Sequence, residues 1–316
     1  MVAPTLDNEF AREVRSGLMR SGQKTLPCQY LYDEVGSALF EAITWLPEYG
    51  LTNADARVIR AHAEELVECL PPDIQVAELG SGSGRKTRPI LEQLGRRQAV
   101  VYSPIDLSAT ALEKCAQDLG PCGAVYPVEA SYLDGLREVR ARRAPGQKVL
   151  VLFLGSTIGN FESEAAIDFL YAVRLLLDPG DLLLLGTDLV KPVEKLQAAY
   201  DDPTGVTAAF NLNLLARINR ELEGDFNLRR FEHVIRYDHA AQRIEMHLRS
   251  LAEQTVTIRG AGVTVDFAAG ETIFTEACHK FRPEQICTMG RAAGFRLEAQ
   301  WSDEEWPFAE SLLLAV

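Results

Sequence analysis

Residues 76–84 read VAELGSGSG, an apolar run that passes directly into three glycines at alternate positions. Glycine reaches backbone angles that other residues cannot and lets the main chain approach a ligand closely. Repeated glycines after a strand therefore indicate a nucleotide-binding turn. A dinucleotide site would favour G-x-G-x-x-G. Here the spacing is G-x-G-x-G, and the charged Arg85 and Lys86 follow where close helix packing would be expected. This spacing is typical of loops that bind S-adenosylmethionine, a ligand that has no phosphate group.

An acidic residue ends the next apolar run. Residues 99–105, AVVYSPI, lead into Asp106. A carboxylate at the end of the second strand, about 20 residues or somewhat more past the glycines, is placed to accept both ribose hydroxyls of a bound adenosine. Asp is also a favoured helix N-cap, and a helical pattern begins at Ser108. We favour the ribose role and keep the cap as the alternative.

Further apolar runs predict the remaining strands of a doubly wound sheet, at 123–128, 148–154 and 181–185. The last two are continuously apolar, as strands buried on both faces must be. Residues 295–301 and 309–316 then predict two strands joined by an acidic loop, with no helix between them. An antiparallel hairpin that closes a parallel sheet is found in Rossmann-like class I methyltransferases and is absent from most dehydrogenases. The sequence therefore predicts an α/β fold of that class.

The chain is longer than this sheet requires. A length of 316 residues exceeds a minimal Rossmann-like domain by roughly a hundred or more, so further structure is needed. Residues 196–282 begin with a helical pattern and then alternate with a period of two, as half-buried strands do. We predict an α+β substrate-binding lid from residues 1–55 and 196–282. The cofactor-binding domain then comprises residues 56–195 and 283–316.

The composition limits the classes of molecule that this protein is expected to bind. A net charge of −13, from 32 basic and 45 acidic residues, disfavours nucleic acid as a substrate. The sequence contains no apolar span near 18 residues and no secretory signal, so we expect a cytoplasmic protein without a membrane anchor. The six cysteines and five histidines are dispersed without metal-ligand spacing, so we expect free thiols and no metal. The predicted partner is a small molecule, and we expect a monomer.

One predicted strand, residues 274–280 (FTEACHK), carries a carboxylate in an unusual position. A period of two puts Phe274, Glu276 and Cys278 on one face, so an acid stands among apolar neighbours. If that face is buried, Glu276 needs a donor or a cation, because an unpaired buried charge is costly. The alternative is an edge strand with Glu276 in water. Met246 lies on the apolar face of another strand, where a core role is the ordinary interpretation.

Five motifs follow one another along nearly the whole chain: LYDEVGSALF at 31–40 with LPEY at 46–49, FLGSTIGN at 153–160, LLGTDLVK at 184–191, AYDDPTGVT at 199–207, and TE at 275–276 with KFRP at 280–283. Together they resemble the histidine-specific Nα-methyltransferases of ergothioneine biosynthesis. The resemblance implies three successive methyl transfers from S-adenosylmethionine to the α-amino group of histidine. The product is the betaine hercynine, and a lid domain holds the amino acid.

The resemblance also implies roles for residues in the matching motifs. Asn160 and Tyr200 would donate hydrogen bonds to the histidine carboxylate, and Phe40 and Tyr49 would form the pocket wall. Tyr32 would lie beside the amino group. Methyl transfer is an in-line displacement with a good leaving group, so the enzyme mainly needs alignment and an unprotonated amine. Tyr32 is therefore the best candidate to orient the amine or to pass its proton to water.

The same resemblance implies that Glu276 accepts the imidazole N–H, with Met246 packed on the ring and Cys278 beside them. A polar group that only the right substrate satisfies discriminates strongly against other substrates. On the cofactor side, the matching residues are Gly80, Gly82, Lys86 and Asp106, with Ser131 and Tyr132 at the adenine.

Three positions depart from the family pattern. Cys278 stands where a serine is usual, Ser131 where an acidic residue is usual, and Gly50 where a second tyrosine usually follows Tyr49. A thiol is a weak donor and acceptor, so the pocket is altered near the ring. The alternative is therefore an Nα-methyltransferase of tryptophan or another aromatic amino acid. An inactive S-adenosylmethionine-binding sensor is the alternative of another class, although a sensor would have no use for a carboxylate clamp.

Overall fold

The structure is a computed structural model, and it describes residues 9–316. The chain forms two compact units. We call the first the Glu276 unit; it contains the described part of residues 1–50 together with Lys191–His279. The second is the glycine-loop unit, built from Leu51–Val190 and Lys280–Val316. The first eight residues of the predicted lid segment 1–55 lie outside the described residues.

The described residues form both helices and strands. The α-helices are α1 Glu9–Leu18, α2 Glu34–Ile43, α3 Leu51–Glu68, α4 Arg88–Leu94, α5 Ala109–Leu119, α6 Tyr132–Arg142, α7 Ser163–Leu175, α8 Val193–Tyr200, α9 Val206–Glu221 and α10 Pro283–Ala292. The strands are β1 Lys24–Thr25, β2 Gln75–Leu79, β3 Val101–Asp106, β4 Ala124–Val125, β5 Val128–Glu129, β6 Val149–Phe153, β7 Leu182–Asp188, β8 Phe231–Asp238, β9 Arg243–Ser250, β10 Gln254–Ile258, β11 Val263–Phe267, β12 Thr272–His279, β13 Phe295–Asp303 and β14 Phe308–Ala315. No helix between residues 9 and 316 is long and apolar enough to cross a membrane.

The glycine-loop unit contains an eight-stranded sheet with the order β13-β14-β7-β6-β2-β3-β4, and β5 also pairs with β3. Strands β2 to β7 pair in parallel, whereas β14 runs antiparallel to both β7 and β13. This arrangement confirms the predicted α/β fold with a terminal antiparallel hairpin. The predicted strand at 123–128 is interrupted and forms the two short strands β4 and β5.

Helices cover both faces of this sheet, and its central strands β2, β6 and β7 are buried at every position. Val151 and Phe153 of β6 face one hydrophobic cluster, which contains Leu136 of α6 and Leu170 of α7. The alternate residues of β6 face the opposite cluster, which contains Ile90 of α4. A strand buried on both sides needs a continuous apolar run, which is what residues 148–154 provide. The two clusters hold the ends of β2, β3 and β6 in fixed positions.

The Glu276 unit contains a four-stranded sheet in the order β1-β12-β9-β8 and a separate β10-β11 hairpin. Strand β12 pairs antiparallel with β9 and parallel with the short β1. The helices of this unit are α1, α2, α8 and α9, and α9 packs against α2 and β8. The unit is thus α+β, as the alternating pattern of residues 233–280 predicts.

Candidate active site

The glycine loop follows β2 and takes a left-handed path. Gly80, Gly82 and Gly84 have φ values of +70°, +51° and +66°, a region that other residues rarely adopt. A Cβ atom on Gly84 would lie 2.6 Å from Leu119 Cδ1, so this glycine lets α5 pack against the loop. At Gly82, no described heavy atom lies within 4 Å of such a Cβ atom. Gly82 therefore presents bare backbone at the loop surface.

Asp106, at the end of β3, binds the glycine loop directly. Its Oδ2 accepts a hydrogen bond from the Gly82 N–H at 3.0 Å, and its Oδ1 accepts one from the Ser108 N–H at 3.0 Å. Ser108 is the N-cap of α5, because its hydroxyl accepts from the Ala111 N–H at 3.2 Å. The alternative that Asp106 caps this helix is therefore wrong. Asp106 instead fixes the backbone at the bare glycine.

Lys86 forms an ion pair with Asp55, a fully buried residue of α3. The Lys86 Nζ lies 2.5 Å from Asp55 Oδ2, and the Gly155 N–H donates to the same oxygen at 3.0 Å. Burial, the largest single effect, acts to lower the pKa of Lys86, but the charge and hydrogen bond of Asp55 and the nearby carboxylates together outweigh it, so the pKa is raised and Lys86 is a cation at neutral pH. Asp55 thus joins the glycine loop to the turn after β6. Sequence reasoning missed Asp55, since nothing in the α3 sequence shows which loops it meets.

The other predicted residues of the glycine-loop unit lie near the ends of the same strands. Ser131 is the N-cap of α6, where its hydroxyl accepts from the Asp134 N–H at 3.4 Å and donates to the Asp134 carboxylate at 2.6 Å. Tyr132 packs on Phe153 with 5.6 Å between ring centroids, and its hydroxyl lies 3.2 Å from where a Cβ on Gly80 would be. Asn160 is half-buried and ends the short 3-10 helix that follows β6.

In the Glu276 unit, the predicted aromatic residues form one cluster. Tyr32 and Phe40 have ring centroids 5.5 Å apart, Phe40 and Tyr49 are 6.4 Å apart, and Tyr49 and Tyr200 are 6.1 Å apart. Phe210 of α9 completes the cluster, at 5.4 Å from Tyr32 and 5.9 Å from Phe40. The sequence analysis did not single out Phe210, because an aromatic residue on a helix usually belongs to the core.

Glu276 is buried, at 5% exposure, but the predicted alternation of its strand is wrong at one point. The pairing of β12 with β9 shifts between Phe274 and Glu276, so that Phe274 pairs with His247 and Glu276 pairs with Met246. This β-bulge inserts Thr275, whose hydroxyl donates to the Met246 carbonyl at 3.0 Å. Phe274 therefore does not share the face of Glu276.

Beyond the bulge, alternation resumes. Glu276 and Cys278 lie on one face of β12, where their cross-strand partners are Met246 and Ile244. The Cys278 thiol donates to Glu276 Oε2 at 3.5 Å. Both residues are buried, as is Met246. The alternative with Glu276 in water is wrong because the side chain is buried; β9 pairs with β12 on one side, and β1 pairs with Ile273 and Phe274 on the other.

The Glu276 charge acts on two nearby groups. Burial raises the pKa of the Cys28 thiol to about 12, with Glu276 as the second cause. Burial of its hydroxyl, and then Glu276, raise the pKa of Tyr32 well above 10, although 40% of the whole residue is exposed. Tyr32 is therefore a neutral phenol at physiological pH. Sequence reasoning also missed Cys28, which follows β1 and comes near Glu276 only through the β1–β12 pairing.

A half-buried histidine supports the backbone of Tyr200. His233 Nε2 donates to the Tyr200 carbonyl at 2.8 Å, which leaves His233 Nδ1 to accept from Asn211 Nδ2 at 2.9 Å. Asn211 Nδ2 also donates to the His247 carbonyl at 3.2 Å. Burial lowers the pKa of His233, so the imidazole is neutral at pH 7. The sequence offers no local sign of this network, because α8, α9 and β8 meet only in the fold.

These features define a class of protein. A parallel sheet closed by an antiparallel hairpin, with a G-x-G-x-G turn after its first strand and a carboxylate at the end of the second, is the architecture of class I S-adenosylmethionine-dependent methyltransferases. Among residues 9–316, no group of three or more His, Cys, Asp or Glu side chains is arranged to hold a metal ion. More particularly, this chain belongs to the histidine-specific, S-adenosylmethionine-dependent methyltransferase family, whose family model matches residues 10–315.

Relatives agree with this membership and confirm the resemblance found in the motifs. The chain is 44% identical over 303 residues to the histidine N-alpha-methyltransferase of Mycobacterium tuberculosis (strain CDC 1551 / Oshkosh), covering 95% of this chain and 93% of that protein. It is 42% identical over 316 residues to the protein of the same name from Mycolicibacterium smegmatis, covering 99% and 97%. The L-tryptophan methyltransferase of Psilocybe serbica is 25% identical over 319 residues, covering 92% and 89%.

Proposed function

We propose that this enzyme transfers three methyl groups from S-adenosylmethionine to the α-amino group of L-histidine and so forms hercynine. Family membership supports the donor and the reaction, and two relatives above 40% identity are named for histidine. The observation that carries the choice of amino acid is Glu276. A buried carboxylate beside Met246 and a weakly donating thiol suits a ring that brings its own N–H donor.

The proposed division of labour follows the two units. We assign substrate binding, predicted for 1–55 and 196–282, to the Glu276 unit, and cofactor binding, predicted for 56–195 and 283–316, to the glycine-loop unit; the unit boundaries lie within five residues of the predicted ones. The donor has a single anionic group, its carboxylate. Lys86 is a cation in the glycine loop and is the proposed partner for that group. Asp106 is the proposed ribose acceptor, next to the bare backbone of Gly82.

The remaining cofactor residues are proposed from the family resemblance. Gly80 would lie along the amino-acid part of the donor, and Ser131 and Tyr132 would lie at the adenine. The Tyr132 hydroxyl near Gly80 supports a position beside the loop. Because the Ser131 hydroxyl caps α6, we expect its substitution to affect that helix as well as ligand binding.

The proposed substrate residues each supply what histidine requires. The family resemblance supports Tyr200 and Asn160 as hydrogen-bond donors for the substrate carboxylate. The aromatic cluster of Phe40 and Tyr49 supplies a low-polarity wall. Glu276 accepts from the imidazole N–H, Met246 packs on the ring, and Cys278 adds packing and a weak contact.

When bound, S-adenosylmethionine supplies an electrophilic methyl group on a sulfonium leaving group. The chain then has to hold the amine in line and unprotonated. The raised pKa of Tyr32 supports a role as neutral phenol, which orients the amine lone pair or passes its proton to water, rather than as a tyrosinate base. A neutral phenol also suits repeated methylation, because a charged partner for the ammonium would oppose each further alkylation.

Methylation of tryptophan or another aromatic amino acid is the second candidate. The observation in its favour is Cys278, whose larger and weakly polar thiol replaces the usual serine at the ring. An indole also has one N–H for Glu276, but it is bulkier than an imidazole.

One experiment separates the two candidates. The purified protein is incubated with isotope-labelled S-adenosylmethionine and each of the twenty amino acids, and the methylated species are identified by mass. We expect histidine to gain one, two and then three methyl groups, and tryptophan to react far more slowly. The Tyr200→Phe variant is the matched control, since it should lose histidine methylation while it keeps the cofactor site. Preferential methylation of tryptophan would overturn the assignment.

A further inference from the structure

Three buried carboxylates lie near the Lys86 side chain in the glycine-loop unit. Asp55, Glu78 and Glu310 are all at most 2% exposed. Glu78 is fully accounted for, because it accepts from the Thr87 hydroxyl at 2.6 Å and from the Tyr102 hydroxyl. Asp55 Oδ2 binds Lys86 and the Gly155 backbone. Glu310, the one charged residue of strand β14, has no such donor among residues 9–316.

Three carboxylate oxygens in this region have no donor within the described residues. Neither Glu310 Oε1 nor Oε2, nor Asp55 Oδ1, finds a protein donor among residues 9–316. A Cβ on Gly186 would lie 3.2 Å from the Gly155 N, which donates to Asp55 Oδ2 at 3.0 Å, so Glu310 and Asp55 border the same backbone and are close neighbours. Glu310 has little room to turn away, since a Cβ on Gly186 would lie only 2.8 Å from its Oε1. Two carboxylates in contact form a hydrogen bond only if one of them carries a proton.

Electrostatic repulsion between the two carboxylates also favours a proton on one of them. Two ionised carboxylates side by side in a buried site repel each other, so one is kept protonated. Burial, and then the Asp55 charge, raise the pKa of Glu310 well above its usual range. With one shared proton, the pair carries a single negative charge, which the single positive charge of Lys86 balances. A doubly ionised pair would draw Lys86 more strongly inward.

We propose that Glu310 is an un-ionised carboxylic acid that donates its proton to Asp55, and that this singly charged pair is the positioning element for Lys86. The inference rests on the proposed role of Lys86 as the partner of the donor's carboxylate. Asp55 takes one of the three Lys86 N–H donors and fixes the Gly155 backbone beside it. The Lys86 side chain is 28% exposed, so its outer part is accessible to a ligand.

A glutamine substitution tests whether Glu310 carries a proton, because it conserves the charge of a protonated acid. Glu310→Gln keeps a neutral side chain and a donor toward Asp55, so S-adenosylhomocysteine affinity should stay within about threefold of the parent. If Glu310 were ionised, the same substitution would remove a charge next to Lys86 and change the affinity by about tenfold or more. The exposed Glu304→Gln is the matched control for loss of one formal charge. A tenfold change in Glu310→Gln with no change in Glu304→Gln would overturn the proposal.

Infrared spectroscopy reads the proton directly. At about pH 8.5, where Glu78, with a pKa of about 7, is ionised, the parent protein should show the carbonyl stretch of a buried carboxylic acid. Glu310→Gln should lack this band and Glu304→Gln should keep it. Absence of the band from the parent would overturn the proposal, whatever the binding results are.

A ligand without the amino-acid group tests the positioning role. Asp55→Asn and Lys86→Met should each weaken S-adenosylhomocysteine binding by about tenfold, the effect of losing one charge-assisted contact. Both should leave 5′-methylthioadenosine, which has no carboxylate, within about threefold. Equal losses for both ligands would show a general structural defect and would overturn the positioning role. Histidine methylation is measured separately. A protein that shows the band and the ligand-selective losses but methylates a different amino acid would refute the proposed substrate and leave this inference standing.

Discussion

Replacement of Glu276 by glutamine tests the proposed recognition of the imidazole ring. The two side chains have nearly the same shape, so the bulge at Thr275 and the pairing with Met246 should persist. What changes is the charge. A hydrogen bond to a charged group contributes about 1.5 to 3 kcal/mol, and one between neutral groups about 0.5 to 1.5 kcal/mol. The difference of about 1 to 1.5 kcal/mol predicts a histidine Kd that is roughly 5 to 15 times higher.

Truncation to alanine should cost somewhat more, because it also removes packing in a buried site. We expect Glu276→Ala to weaken histidine binding by about 1 to 3 kcal/mol. Affinity for S-adenosylhomocysteine should be unchanged in both variants, since Glu276 belongs to the Glu276 unit and the proposed cofactor residues to the other.

Calorimetric titration of histidine in the presence of S-adenosylhomocysteine measures these effects. The matched control is Glu245→Gln, which removes the same charge from the neighbouring strand β9. Glu245 pairs with Ala277, so it lies on the opposite face of the sheet from Met246 and Glu276, and it binds Arg243 and His247. Unchanged histidine affinity in Glu276→Gln, or an equal loss in Glu245→Gln, would refute the proposal that Glu276 contacts the ring.

Four further predictions concern single residues. Cys278→Ser should tighten histidine binding by roughly 0.5 to 1.5 kcal/mol, the contribution of one neutral hydrogen bond, and Cys278→Ala should change it little. If the serine variant binds histidine more weakly and the parent prefers tryptophan, methylation of tryptophan is favoured. Tyr200→Phe and Asn160→Ala should raise the Kd for histidine and leave that for S-adenosylhomocysteine unchanged, and efficient methylation of histidinamide would refute the carboxylate clamp. His233→Phe should raise the KM for histidine more than it lowers kcat, because it releases the Tyr200 carbonyl, whereas a variant with unchanged KM would exclude this support. Glu78 has a pKa of about 7 in the folded protein against 4.5 in the unfolded chain, so the free energy of unfolding falls as pH rises between these values. In urea unfolding, Glu78→Gln should reduce this loss of stability by up to about 3 kcal/mol. Parallel pH profiles of the two proteins would contradict this prediction.

The sheet of the glycine-loop unit could be predicted because its strands carry their own evidence. Strand β6 and the first four residues of β7 are continuously apolar, and a strand covered on both faces requires that pattern. The terminal hairpin was equally clear, since no helical pattern separates β13 from β14. The bulge at Thr275 was not predictable. A period of two places Phe274, Glu276 and Cys278 on one face, and the shift that breaks this period is set by pairing with β9, which the local sequence does not encode.

Some site residues could likewise be predicted from local sequence, whereas others are placed only by the fold. Asp106 and Lys86 follow recognisable local patterns, whereas Asp55 meets Lys86 and Gly155 only because α3 packs beside the ends of β2 and β6. The support of Tyr200 by His233 likewise depends on α8 and β8 meeting in the fold. Such contacts join residues far apart in sequence, and neither composition nor periodicity reports them.

Glu310 is the exception, since its sequence did contain the necessary sign. It is the one acid in FAESLLLA, a run whose other residues suit a buried strand. The reasoning applied to Glu276, that a carboxylate at a buried position must find a donor or a cation, applies equally at residue 310. The two acids differ in how that need is met. At Glu310 the fold provides Asp55, and a retained proton satisfies both. At Glu276 the neighbours include the thiol of Cys278 and the side chain of Met246, and we propose that a substrate N–H adds a hydrogen bond there. A buried acid beside a second acid therefore indicates a structural proton, whereas the family resemblance of the Glu276 motif supports a ligand role for that acid.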